Sequence, residues 1–406
     1  MSSSPKTHGM DGTLVSPDWP PLTLAELRPL LAQFPSLGEP VRIESVSPRP
    51  FSAAAVIVTR DARGPDGLIP VRGAETRVFV KRHHRAVRDR EGLHEEHRFM
   101  AHLHSRGVPV PRVVRSAAGE TAIEAGDWTY EIHETPPGVD LYVDAPSWTP
   151  FQSAAHARSA GQALARLHLA AQDFSAAPRR PRPLVAGFTI FAAADPASEM
   201  ARYLALRPSL AGHRAVGACA GQALELLAPF HAELLPLLPA LAPLWTHNDF
   251  HASNLFWSDS KTEARAMAVI DFGLADRTNS VHDIAHAIER NIVEWLTLVQ
   301  DSKQLPAVHF GHLEALLDGY ESVRPLSADE RAALAPMAAL CHAEFALSEA
   351  DYFLGVLHSE EKAAMAYDGW LVGHARWFRG GGRKLIDFLR RWAATRESGT
   401  KELAAR

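Results

Sequence analysis

At 406 residues with 46% hydrophobic content, the chain can bury a large core and exceeds the usual size of a single domain. A formal net charge of −5 with interspersed signs argues against general nucleic-acid affinity, and two cysteines, Cys219 and Cys341, make neither a disulfide framework nor a zinc site. No apolar run approaches the roughly eighteen residues that span a bilayer, and Met1–Lys6 lacks the apolar core of a signal peptide, so a cytoplasmic protein with no membrane partner is expected.

In chain order, residues 1–22 are rich in Ser, Pro and Gly and are expected as a disordered tail. Val41 and Ile43 alternating with Arg42 and Glu44, then the β-branched run Val56-Ile57-Val58-Thr59, predict two short strands within 41–60. Asp61 to Gly73 reads as a hairpin connection, and Arg77-Val78-Phe79-Val80-Lys81 as a strand ending in lysine. Glu91 to Arg106 has helical character, with Leu93, Phe99, Met100 and Leu103 facing inward and Gly107-Val108-Pro109 stopping it. Helical spacing puts Glu96 in that inward row and turns Glu95 about 100° away, toward solvent. Helices are then predicted over 151–172, 196–206, 213–239, 281–300, 308–322, 327–357 and 361–379, the longer ones open to breaks. After Gly380-Gly381-Gly382, the basic segment Arg383 to Trp392 reads as an amphipathic helix whose Leu385, Phe388, Leu389 and Trp392 stripe packs on the chain's own helices rather than on an anionic membrane.

Chemistry concentrates in His247-Asn248-Asp249-Phe250-His251-Ala252-Ser253-Asn254 and in Asp271-Phe272-Gly273, which ends the apolar run Met267-Ala268-Val269-Ile270. Phosphoryl transfer from ATP needs a carboxylate to position and deprotonate an alcohol, and an amide oxygen and second carboxylate to hold Mg²⁺. Asp249, Asn254 and Asp271 supply the three. A five-residue step lets one short loop present Asp249 and Asn254 together, and the order H-x-D-x-x-x-x-N then D-F-G is the catalytic-loop and metal-loop pair of the protein-kinase-like fold. Such an enzyme also needs a lysine on the phosphates and a glutamate to hold it; Lys81 and Glu96 are the candidates.

On these residues the chain resembles the aminoglycoside phosphotransferase and choline kinase family over roughly residues 40 to 380. The passage from the Glu96 helix into Gly107-Val108-Pro109-Val110-Pro111 is similar to the family's, as is Leu164-Ala165-Arg166-Leu167-His168 before the catalytic loop. The resemblance implies an α+β, protein-kinase-like two-lobed fold: a β-rich N-lobe over 23–135, a mostly helical C-lobe over 136–395 and a tail over 396–406. It implies that Trp128 to Glu134 is the strand into the hinge, with backbone groups of Glu131, His133 and Thr135 meeting the adenine, and that Asp283 braces the C-lobe. ATP and Mg²⁺ are the implied cofactors and a small-molecule hydroxyl the implied acceptor. Asn248 departs from the family's frequent glycine. The segment Ser45-Val46-Ser47-Pro48-Arg49-Pro50-Phe51-Ser52, where a glycine-rich phosphate loop is usual, has no glycine, so Ser45, Ser47, Ser52 or Arg49 is expected to hold phosphates instead.

Two other readings stay open. A Ser/Thr protein kinase is disfavoured because eleven residues between Asp271 and Asp283, with no Ala-Pro-Glu after them, leave no room for a long activation loop. A non-catalytic nucleotide-binding protein conflicts with retention of Lys81, Asp249, Asn254 and Asp271. Two features bear on ligands. His282 and His286 have zinc-like spacing, but the sequence shows no third ligand. Glu344 and Asp351, seven apart on one helix face, would favour a cationic acceptor if they line the acceptor site, the alternative being an exposed side or internal ion pairs.

Overall fold

The computed structural model describes residues 6–60, 75–300 and 304–404, with side chains to Arg396. The expected hairpin connection Asp61–Gly73 lies outside them. Two compact units divide the chain: Met1–Ser147 with Leu255–Asp259 and Met267–Ile270, and Trp148–Asn254 with Ser260–Ala266 and Asp271–Arg406.

The first unit begins with a ribbon, β1 (Thr7–His8) against β2 (Leu14–Val15), so residues 6–22 carry structure where the composition suggested a tail. Trp19 stacks on His84 at 5.3 Å between ring centroids and meets Trp128 edge-on. Helix α1 (Leu24–Leu31) starts where the Thr23 hydroxyl accepts the Glu26 N–H, an N-cap that satisfies one orphan donor. Strands β3 (Glu39–Val46), β4 (Ala53–Arg60) and β5 (Glu75–His84) follow, then α2 (Arg90–Ser105), β6 (Ile123–Ala125) and β7 (Trp128–Glu134). They form an antiparallel sheet in the order β3-β4-β5-β7-β6. Because side chains alternate along a strand, Ala55, Ile57, Val78, Val80 and Ile132 share a core with Leu27, Leu30, Leu31 and Phe34 from α1 and its exit. Both strands expected within 41–60 form, and β5 continues three residues past Lys81. In α2 the inward row is buried and includes Glu96, as its spacing required.

The second unit is mostly helical: α3 (Ala154–Ala171), α4 (Pro196–Ala205), α5 (Arg214–Leu234), then strand β8 (Pro243–Thr246). Strands β9 (Leu255–Trp257) and β10 (Ala266–Val269), which pair with each other, belong largely to the first unit, and β11 (Asp276–Asn279) of the second returns antiparallel to β8. The remaining helices are α6 (Ser280–Ile292), α7 (Thr297–Gln300), α8 (Phe310–Glu321), α9 (Ala328–Leu340), α10 (His342–Gly355), α11 (Glu360–Ala364), a π-helical stretch over Met365–Val372, α12 (Gly373–Arg379) and α13 (Arg383–Ala404). The longer predicted helices are broken. The 213–239 segment tightens to a 3₁₀ turn over Leu235–Ala240, where Pro236 and Pro239 lack the N–H an α-helix needs. Contrary to the expectation from sequence, Arg214–Ala240 is one helical segment long and apolar enough to cross a membrane, with mean hydropathy 1.2; Val216, Ala220, Ala223, Leu227 and Leu234 on it are buried within the protein. In α13, Leu385, Leu389 and Trp392 are buried, Phe388 meets Phe310, and Arg390 pairs with Glu233 at 2.6 Å, so this helix packs on its own unit.

Candidate active site

In the second unit, the chain leaves β8 at Thr246 and turns through His247 to Asn254. The turn hangs from α6. Asp283, fully buried, accepts the His247 and Asn248 backbone N–H groups, each at 2.8 Å, and faces His168 Nε2 at 3.0 Å. Burial works to raise its pKa, but the His168 contact outweighs it and holds the carboxyl down to about 2. This is the brace the resemblance implied.

Asn248 has φ +59°, the left-handed region that Asn tolerates better than most side chains because its short amide bonds locally. That amide is fully engaged: Oδ1 accepts from the Thr246 hydroxyl at 2.8 Å and Nδ2 donates to Leu274 O at 3.1 Å. Asn therefore performs the backbone task of the expected glycine and adds a tie to the loop after Gly273.

The turn places Asp249 against Asn254, whose Nδ2 donates to Asp249 O at 2.9 Å and to Oδ2 at 3.2 Å. Arg290 Nη1 lies 3.1 Å from Asp249 Oδ1, and His251 Nε2 lies 3.6 Å from the same oxygen. Burial pushes the Asp249 carboxyl up, but Arg290 first and His251 second override it and hold it well below the usual carboxylate range. Arg290 is itself buried, with its guanidinium over the Phe345 ring at 4.4 Å. One residue on, Asn291 accepts the Ala252 N–H and donates to Phe250 O, so α6 fixes the loop at both ends. Asp271 has φ +60°, and Phe272 is buried with its ring 4.7 Å from that of His247. Glu349 is also buried, and desolvation pushes its carboxyl up to about 8, partly offset by Arg290.

In the first unit, Lys81 Nζ lies 3.8 Å from Glu131 Oε1, while Glu96 accepts from Arg88 at 2.8 Å. Glu131 is a hub: His83 Nε2 bonds Oε1 at 2.9 Å, and His97 and His133 Nε2 each bond Oε2 at 2.8 Å. These imidazoles, together with their bonds, hold Glu131 well below its usual pKa although burial opposes it. The expected hinge contacts narrow accordingly. Ile132 O accepts from Val114 and Glu134 N donates to Arg112 O at 2.9 Å, so those two groups are committed, while the Thr135 hydroxyl donates to Arg77 O. In the glycine-free β3–β4 loop, Ser47 Oγ accepts the Arg49 N–H, and Ser52 is half-buried. The Arg49 guanidinium is spent on Ala145 O at 2.9 Å, Tyr142 O and Ser147 Oγ, which makes it a tether of this unit.

Glu344 and Asp351 are buried but internally engaged, which removes the premise for the cationic-acceptor reading. Glu344 accepts the Gly187, Thr189 and Ile190 N–H groups, and Asp351 meets the Ser209 hydroxyl and Arg207.

A family model described as "Phosphotransferase enzyme family" matches residues 70–326, well over half of the chain. The chain belongs to the phosphotransferase enzyme family. It is 32% identical over 241 residues to a homoserine kinase of Xanthobacter autotrophicus (strain ATCC BAA-1158 / Py2), a match covering 59% of this chain and 63% of that kinase. Among solved structures, the amicoumacin kinase hAmiN, in complex with AMP-PNP, Ca²⁺ and Ami, overlaps with a TM-score of 0.52 at 13% identity, covering 87% of this chain and 92% of that one. An aminoglycoside phosphotransferase from Alicyclobacillus acidocaldarius subsp. acidocaldarius DSM 446 gives 0.46 at 16% identity, over 91% and 97%. The two-lobed α+β architecture, with a β-rich N-lobe and a larger helical C-lobe, is that of protein-kinase-like phosphotransferases.

Sequence reasoning missed Arg290, Asn291 and the Glu131 carboxylate. A signal existed for the first two, since they fall seven and eight residues after Asp283, on its helix face. None existed for Glu131, whose partners come from three separate elements.

Proposed function

We propose that the protein is an ATP- and Mg²⁺-dependent kinase that transfers a phosphoryl group to a hydroxyl of a small molecule. The observation that carries this is Asp249 held ionised by Arg290 and bonded to Asn254, in a loop anchored on Asp283. The residues fit a hard cation: Asn254 spends its amide nitrogen on Asp249, which leaves its amide oxygen as a donor of the kind Mg²⁺ takes, with Asp271 as the anionic partner. When bound, the ion neutralises charge on the phosphate oxygens.

A carboxylate held so far below neutrality is a weak base. Asp249 therefore acts first by orienting the acceptor hydroxyl, and receives its proton late, as the bond to phosphorus forms in a loose transition state. The proton then passes to solvent. Lys81, steadied by Glu131, is the cation for the phosphates, and Glu96, held by Arg88, steadies the same region of α2. Thr135 backbone groups, beyond the committed Ile132 and Glu134, are the part of the Glu131–Thr135 segment left for a base edge. Ser47 and Ser52 are the phosphate-loop donors. Catalysis on this reading is positioning and electrostatics.

Homoserine heads the acceptor panel because of the relative named above, followed by aminoglycosides, choline-like amines and sugars, each assayed with labelled ATP. With the accepted substrate, Asp249→Asn should lower turnover by roughly two to four orders of magnitude at nearly unchanged nucleotide affinity. Near-normal turnover in that variant would refute the assignment.

A further inference from the structure

The second unit encloses a cluster of metal-ligand residues outside the phosphoryl-transfer machinery. Glu289 on α6, His342 at the start of α10 and His374 on α12 converge with side chains at most 3% exposed, and His286, one turn before Glu289, joins them. His342 Nδ1 lies 3.0 Å and His374 Nδ1 3.6 Å from Glu289 Oε1, while His286 Nδ1 lies 3.7 Å from Oε2.

None of these contacts is a hydrogen bond. Both Glu289 oxygens, both ring nitrogens of His342 and of His374, and His286 Nδ1 are buried without a hydrogen-bond partner. So many unmet polar atoms in one dry place are costly, and native interiors avoid them. The cluster around Glu131 shows the contrast. There each imidazole Nε2 is aligned on the carboxylate at 2.8–2.9 Å, and the group closes on itself. Around Glu289 the nitrogens approach the carboxylate but do not point at it, which is how ligands arranged around a common centre stand. Tetrahedral donors about 2.0–2.1 Å from one ion sit roughly 3.3–3.4 Å apart, and the 3.0 and 3.6 Å separations bracket that value.

We infer that His342 Nδ1, His374 Nδ1 and Glu289 Oε1, with His286 adjoining, form a buried structural site for one borderline divalent cation of the zinc class. Imidazole with carboxylate is the donor mixture such ions take, whereas Mg²⁺ demands oxygen. The π-helical stretch Met365–Val372, an uncommon geometry, immediately precedes α12 and sets the angle at which His374 enters. Glu289 also links the site to the catalytic loop, because its Oε2 lies 3.8 Å from Arg290 Nε and Arg290 holds Asp249. The His282–His286 spacing noted in the sequence thus contributes only His286, since His282 Nδ1 is directed at Asn248 Oδ1.

The test uses the full-length chain, untagged and never exposed to chelator, and counts metal by elemental analysis after gel filtration. About one equivalent of zinc per chain is expected. Protein stripped with dipicolinate should take up Zn²⁺ with sub-micromolar affinity, and Co²⁺ should give the visible absorption of a four- or five-coordinate site. His374→Gln and His342→Gln should each weaken Zn²⁺ binding by at least about 100-fold, while His97→Gln and Asp271→Ala leave it intact. If the two cluster variants fail to fold, X-ray absorption of the zinc-loaded wild type decides, with two or three imidazoles expected in the coordination shell. Metal-free wild type with no uptake below about 10 µM Zn²⁺, loss of the ion in His97→Gln instead, or a shell without imidazole would each overturn the site.

Discussion

The Arg290–Asp249 pair offers the sharpest quantitative test of how this site is built. At 3.1 Å and an effective dielectric of about 20, the gross attraction is about 5 kcal/mol. Asp249 keeps 20% side-chain exposure and shares its Oδ1 with His251, so the net coupling should be about 2–3 kcal/mol. Arg290→Met alone should cost about 3–5 kcal/mol, because it strands buried Glu289 as well as Asp249. A double-mutant cycle with Asp249→Asn, read by urea unfolding, removes the Glu289 contribution and isolates the coupling. The sign of the pH dependence follows from the depressed Asp249 pKa. Its stabilisation is fully present above the unfolded-state value of about 4 and is lost as pH falls through the lower folded-state value. Coupling should therefore be constant from pH 5 to 8 and decline only in stronger acid. A coupling below about 0.5 kcal/mol, or one that disappears between pH 6 and 5, would refute the reasoning.

Asp271→Ala should abolish the Mg²⁺-dependent tightening of nucleotide binding, and calorimetry with unchanged Mg²⁺ coupling would count against its ligand role. Burial pushes Asp276 up to about 6, so the stability it allows is full below the unfolded value near 4 and is lost as pH rises through 6. Asp276→Asn, which still accepts the Arg179 and Arg277 N–H groups, should gain about 2–3 kcal/mol on wild type between pH 4 and 8, and a pH-independent difference in unfolding free energy would contradict this. Gly161 on α3 packs so close to α8 that a Cβ would fall on Leu316 O, whereas a Cβ at Gly221 on α5 meets open space. Gly161→Ala should therefore destabilise by about 1–3 kcal/mol and Gly221→Ala stabilise by about 0.5–1, and thermal denaturation reporting the same sign for both would show the helix contact is misjudged.

What was legible in the sequence, and what was not, divides along the range of the interactions. The Asp249–Asn254 contact could be read because a short loop must bring these residue types together at that spacing, and the burial of Glu96 because helical periodicity alone decides which glutamate turns inward. The same periodicity put Glu344 and Asp351 on one buried face, but their role depended on partners far along the chain, the 187–190 backbone and Ser209 with Arg207. Lys81 shows the same limit: its place on a strand was readable, but Glu131 pairs with it across adjacent strands, through the register Lys81↔Glu131, which no local pattern encodes. Arg290 lies between these cases. A buried arginine seven residues after a buried aspartate on one helix must face what that aspartate faces, and a charge so placed needs an opposite charge within reach. The Asp249 carboxylate is that charge, so the helix that braces the loop also sets the ionisation of the aspartate the loop carries.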